Sequence, residues 1–154
     1  MDTSDEQMST AFGSIFLMAQ RWQTLGNIFL RRWGLTTKQW LLLATMEMQL
    51  GGSATLGDAA AAYRSSYQNV KRIAQNLEQE GFIKLTKDPE DRRVLRLTIT
   101  EKNRRFWEQH DTEALEYIKR FFQDLTDGEI REFVRMLQVL LNRTEQISAE
   151  VKQD

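Results

Sequence analysis

Between Ser65 and Ile99 the chain reads SSYQNVKRIAQNLEQEGFIKLTKDPEDRRVLRLTI, and this stretch restricts the possible folds more than any other. Val70, Ile73, Ala74 and Leu77 recur at i, i+3, i+4 and i+7, the spacing that gathers apolar side chains on one face of an α-helix. Ser65 or Ser66 offers the N-cap oxygen, and Gly81 the left-handed residue that ends the helix. The period then switches to two in FIKLTK and again in RVLRLTI, which predicts two strands. Between them lies the turn DPEDR, with the only proline of the chain, Pro89.

What precedes and follows fits around that unit. Met8, Phe12, Ile15, Phe16, Ala19, Trp22, Phe29 and Trp33 recur at helical spacing, and Gly34 closes the helix they form. Thr36 with Gln39 makes a capping box for a second helix, QWLLLATMEM, which is apolar on nearly every side and expected to be buried. LGGSAT reads as a loop, and TLGDAAAAY as a short helix capped by Thr55, whose alanines permit close packing. After Thr100 comes a long helix carrying Phe106, Trp107, His110, Ala114, Tyr117, Phe121 and Phe122 on one side. Thr126 and Glu129 form a second capping box, opening a last helix with Ile130, Phe133, Val134, Leu137, Leu140, Leu141 and Ile147.

The expected fold is therefore mainly α with a small β-wing: a winged helix-turn-helix over 36–99, flanked by long amphipathic helices over 8–33 and 101–150, all within one domain of 1–154. Helices so apolar exceed what a small central lobe can cover, and a second copy is the simplest partner for them.

Composition removes several function classes. The chain has no Cys, so a disulfide framework, a thiolate zinc site and a thiol redox switch are out of reach. One histidine, His110, gives neither a His-rich metal site nor a Ser-His-Asp triad, and no nucleophile–base pair stands out; neither an enzyme nor a cofactor is expected. No run of about 18 apolar residues exists to span a membrane. The opening MDTSDEQMST is acidic, unlike a secretory leader, so the expected location is the cytoplasm.

Net charge is only −1, but its distribution is uneven. Residues 64–105 hold eleven Lys/Arg against six Asp/Glu, a balance of +5, and the remainder holds ten against sixteen, or −6. One basic segment between acidic flanks suits an anion-binding surface whose orientation is fixed by repulsion elsewhere. Opposite the apolar stripe of the 65–80 helix stand Ser66, Tyr67, Gln68, Asn69, Lys71, Arg72 and Gln75, crowded toward its N-terminal half. Gln and Asn match adenine and Arg matches guanine in a major groove. The same residues also fit an ordinary solvated helix face. Arg92 and Arg93, at the wing tip, suit a minor groove or a phosphate, or else pair locally with Asp88, Glu90 or Asp91.

The segments LTTKQWLLLATM, SSYQNVKRIAQNLEQEGFI and KDPEDRRVLRLTITEK together resemble the MarR family of bacterial transcriptional regulators, with Asp91-Arg92-Arg93 matching the wing motif Asp-x-Arg. The resemblance covers essentially the whole chain; it departs at Asn103, where the family usually has Gly, and in GDAAAAY of the first helix-turn-helix helix. It implies a homodimeric winged helix-turn-helix protein bound to a pseudo-palindromic operator in double-stranded DNA, commonly a repressor released by a small ligand. It places Gln68, Asn69 and Arg72 near bases, Ser66 and Tyr67 at the groove edge, and a wing arginine in the minor groove. It also implies an effector pocket whose lining would include Phe16, Trp40, Phe106, Trp107 and His110, suited to an aromatic or amphipathic small molecule. Those five residues fit an ordinary aromatic core as well. The competing function is a dimeric winged-helix module that binds another protein without reading DNA sequence.

Overall fold

The computed structural model describes residues 3–151, so the outermost ends of the expected 1–154 domain, residues 1–2 and 152–154, lie outside the described residues. Ten elements follow one another: α1 (Thr3–Leu30), a 3-10 turn (Arg31–Trp33), α2 (Thr37–Leu50), β1 (Ser53–Thr55), α3 (Leu56–Ala62), α4 (Tyr67–Gln79), β2 (Ile83–Lys87), β3 (Leu95–Ile99), α5 (Glu101–Phe122) and α6 (Asp127–Val151). They are mostly helical with one small antiparallel sheet, the expected fold class. The chain divides into two compact units, one ending at Phe106 and the other beginning at Trp107.

In the first unit, sequence signals and structure agree at nearly every helix end. Thr36 accepts from the Gln39 N–H while its own N–H donates to the Gln39 side chain at 2.8 Å, closing the capping box of α2. Thr55 and Ser66 cap α3 and α4, each accepting from the N–H three residues on. Gly34 and Gly81 take the left-handed conformation behind the first helical segment and α4. Leu42, Leu43 and Met46 of α2, Leu56 and Ala59 of α3, Val70, Ile73, Ala74 and Leu77 of α4, and Leu97 of β3 are all essentially inaccessible and form the core.

Two expectations needed correction. LGGSAT is not wholly a loop: Gly51 and Gly52 make the turn, but Ser53–Thr55 is a strand pairing with β3, with Ala54 opposite Leu97. Strand order is thus β1-β3-β2. The physical reason is that β3 would otherwise leave one edge of backbone donors and acceptors unpaired, and a three-residue segment closes it. A hydroxyl bond between Ser53 and Thr98 at 3.1 Å joins the pair on its other face. Helix α2, expected to be buried all round, has one open face, where Trp40, Leu41 and Met48 are exposed.

Each unit also leaves apolar surface on a long helix. In α1, Phe12, Phe16, Leu17 and Ile28 are exposed. In the second unit, α6 opens with the expected Thr126–Glu129 capping box, contains no buried residue, and exposes Val139, Leu140 and Leu141. Among the described residues no helix is long and apolar enough to cross a membrane.

Candidate nucleic-acid interface

Helix α4 is held so that one face is fixed and the other is presented. Its buried stripe sits on α2 and α3, and the small side chains of Ala59 and Ala60 let α3 lie close. The Tyr63 hydroxyl, at the end of α3, donates to the Lys38 carbonyl of α2 at 3.2 Å; burial pushes its pKa above the usual phenol value. The C-terminal end of α4 is fastened by the start of α5: the Thr100 hydroxyl reaches the Gly81 carbonyl at 2.7 Å, and the Lys102 ammonium reaches the Glu80 carbonyl at 2.5 Å.

On the outer face Gln68, Arg72 and Gln75 are exposed at i, i+4 and i+7, a single line along the helix. Tyr67 is 42% exposed beside the N-cap Ser66. Lys71 and Asn69 are half-buried. Asn69 differs in character from its neighbours. Its amide NH2 donates to the Ser65 hydroxyl at 2.8 Å, and its carbonyl accepts from the Arg72 guanidinium at 3.1 Å. It therefore orients Arg72 rather than offering a wholly open edge of its own, a role that sequence spacing did not reveal.

The wing is built on two aspartates. Asp88 is buried and accepts backbone N–H bonds from Glu90 at 2.9 Å and Asp91 at 3.3 Å, which forms the turn. Its second oxygen accepts from Arg96 of β3 at 2.9 Å. The Glu90 N–H first, then the Arg96 guanidinium, hold this carboxyl below the ordinary Asp value. Asp91 receives both the side chain and the backbone N–H of Arg93, at 3.1 and 3.0 Å, and these bonds likewise lower its pKa. Arg93 is thereby aimed while its side chain stays 91% exposed. Arg92 is exposed and has no hydrogen-bond or ion-pair partner among the described residues. The local pairing foreseen for the wing thus exists, and it takes only one of the two tip arginines.

The residues expected to line an effector pocket fall in both units. In the first, Phe16 is exposed and packs edge-on against Phe12 at 5.1 Å, Trp40 is exposed at the start of α2, and Phe106 packs edge-on against Trp33 and Phe82 at 5.5 and 5.2 Å. In the second, Trp107 and His110 are half-buried, and His110 Nδ1 lies 3.7 Å from Glu113. Among the described residues no group of three or more His, Cys, Asp or Glu side chains is placed to hold a metal ion.

Comparison with known proteins places this geometry. Residues 33–94, which span α2 to the wing turn, match the model of the MarR family. The chain is 27% identical over 124 residues to the transcriptional repressor MprA of Escherichia coli, covering 80% of this chain and 70% of that one. It is also 27% identical over 108 residues to the transcriptional activatory protein BadR of Rhodopseudomonas palustris, covering 70% and 62%. In fold it resembles a MarR transcriptional regulator from Methanosarcina mazei, with a TM-score of 0.81 at 19% identity over 90% of this chain and 99% of that one. It likewise resembles a mutant MarR from Escherichia coli complexed with operator DNA, with a TM-score of 0.74 at 18% identity over 92% and 99%.

Proposed function

We propose that the chain belongs to the MarR family, whose model matches residues 33–94, and that it works as a homodimeric, sequence-specific DNA-binding transcriptional regulator. The observation that carries this reading is α4: a helix capped at both ends and buried on one stripe presents Gln68, Arg72 and Gln75 in line on the other. Ser66, Tyr67, Asn69 and Lys71 surround that line. The wing adds Arg93, aimed by Asp91, and the unpaired Arg92 as minor-groove or phosphate contacts. In this reading 36–99 is the DNA-binding lobe, and a second copy covers the apolar faces of the flanking helices 8–33 and 101–150. The protein acts in the cytoplasm, has no catalytic role, and represses from a pseudo-palindromic operator until a small aromatic or amphipathic effector releases it.

The test is fluorescence anisotropy of the purified protein on DNA from upstream of its own gene, with random DNA as competitor and a salt series. The reading expects a preference for the upstream DNA and log K falling with log salt at about −0.9 per phosphate neutralised. Absence of any preferred sequence, including after selection from a random DNA pool, would leave the winged helix as a protein-binding module instead.

A further inference from the structure

Gln68 and Asn69 are neighbours that carry the same carboxamide, and the fold treats them oppositely. Each end of the Asn69 amide already holds a partner: its NH2 donates to the Ser65 hydroxyl at 2.8 Å, and its oxygen accepts from Arg72 at 3.1 Å. Gln68 is exposed, and among the described residues its carboxamide has no hydrogen-bond partner. It stands just past the N-cap Ser66 and Tyr67, in the half of a recognition helix that enters the major groove. An open carboxamide offers an acceptor and a donor side by side, the complement of the N6 amine and N7 of adenine. The exposed amides of Gln75 and Asn76 lie about two turns further on, in the C-terminal half of α4.

Arg72 is exposed one turn beyond Gln68, and its N–H groups match guanine O6 and N7. Four residues advance an α-helix by about 6 Å, and successive bases are about 3.4 Å apart, so the two side chains reach bases about two steps apart or fewer. We infer that Gln68 is the adenine-reading residue of this surface. Each operator half-site then carries an adenine, read by Gln68, and within about two steps a guanine, read by Arg72, while Asn69 reads no base. The inference deepens the DNA-binding reading above and rests on it.

Selection by the wild-type protein from a random DNA pool supplies the operator, and anisotropy then measures point variants of it. Gln68→Ala should lose the preference for A·T at one position of each half-site, by about 5-fold to 150-fold per half-site, and keep the neighbouring preference for G·C. At that position 7-deazaadenine removes the N7 acceptor without altering base pairing. Placed in one half-site, it should weaken wild-type binding roughly 2-fold to 13-fold and leave Gln68→Ala unaffected. Gln68→Glu, whose carboxylate accepts from the cytosine amine, should move the preference at that position to C·G, a gain that a misfolded variant cannot produce. Asn69→Ala should keep the adenine preference. Retention of that preference in Gln68→Ala, or an equal effect of 7-deazaadenine on both proteins, overturns the inference while the DNA-binding reading stands. A pool that yields no preferred site overturns both.

Discussion

Replacing Arg72 with alanine examines the step from helix geometry to sequence reading. Arg72 is exposed one turn beyond Gln68, and of its five N–H groups one is engaged by the Asn69 carbonyl at 3.1 Å, leaving four for a base edge. The Asn69 amide cannot easily turn away, since its NH2 is held by Ser65 at 2.8 Å. A bidentate arginine–guanine pair is worth about 1–3 kcal/mol of discrimination against the wrong base. A homodimer on a symmetric operator makes the contact twice, so about 2–6 kcal/mol is at stake, or roughly 30-fold to more than 10⁴-fold in affinity.

The assay is anisotropy titration on the operator and on variants with one symmetric pair of base pairs changed at a time. Arg72→Ala should bind the original operator more weakly by a factor in that range and lose its preference at one position only. Asn69→Ala should weaken the same preference by the smaller worth of an orienting hydrogen bond, about 0.5–1.5 kcal/mol per protomer. The double variant should be no worse than Arg72→Ala, because Asn69 acts through Arg72. An equal loss on operator, variants and random DNA would show Arg72 to be a phosphate contact and refute the argument.

Other consequences follow from the same structure. Leu77 is fully buried beneath α4, so Leu77→Ala should destabilise the fold by about 2–5 kcal/mol, read as a lower melting temperature at fixed protein concentration. Gly81→Ala puts a Cβ at φ 77°, 3.3 Å from Lys102 Cδ, and should cost about 1–2 kcal/mol in denaturant titration. The folded-state pKa of Asp88 is depressed, so its contribution is present above the unfolded value of about 3.9 and is lost as pH falls through the lower folded value. Wild type and Asp88→Asn should accordingly show parallel stability–pH curves from pH 5 to 8 and converge only in the acid range. Arg92→Ala and Arg93→Ala should each weaken operator binding without changing the order of preference among the major-groove variants.

What could be read in advance depended on how far each signal extended along the chain. The buried stripe of α4 repeats over two turns and was legible residue by residue, as were the caps at Thr36, Thr55 and Thr126, because each joins residues three apart, whereas for α4 the sequence left Ser65 and Ser66 open and the fold selects Ser66. β1 was not legible, since Ser-Ala-Thr is too short to show a period and exists only because β3 has an edge to pair. Asp88–Arg96 escaped for a different reason: its partners are eight residues apart, and they meet because the hairpin register folds the turn back onto β3.

The candidate site shows the same division more sharply. Charge and helical phase pointed to α4 and the wing tip as the candidate surface, but not to how its members divide their work. Asn69 and Arg72 stand three apart and look alike as base readers in a sequence, yet only their hydrogen bonds separate the residue that orients from the one that is oriented. Arg92 and Arg93 are adjacent and chemically identical, and Asp91 distinguishes them by binding one. Where a side chain is judged by what it could touch, sequence suffices. Where it is judged by what already holds it, the decisive terms are bonds that arise only once α3, α4 and the wing have packed. For that reason the residues that position Arg72 and Arg93 are the sharper test of the fold, and the residues that face outward are the sharper test of the function.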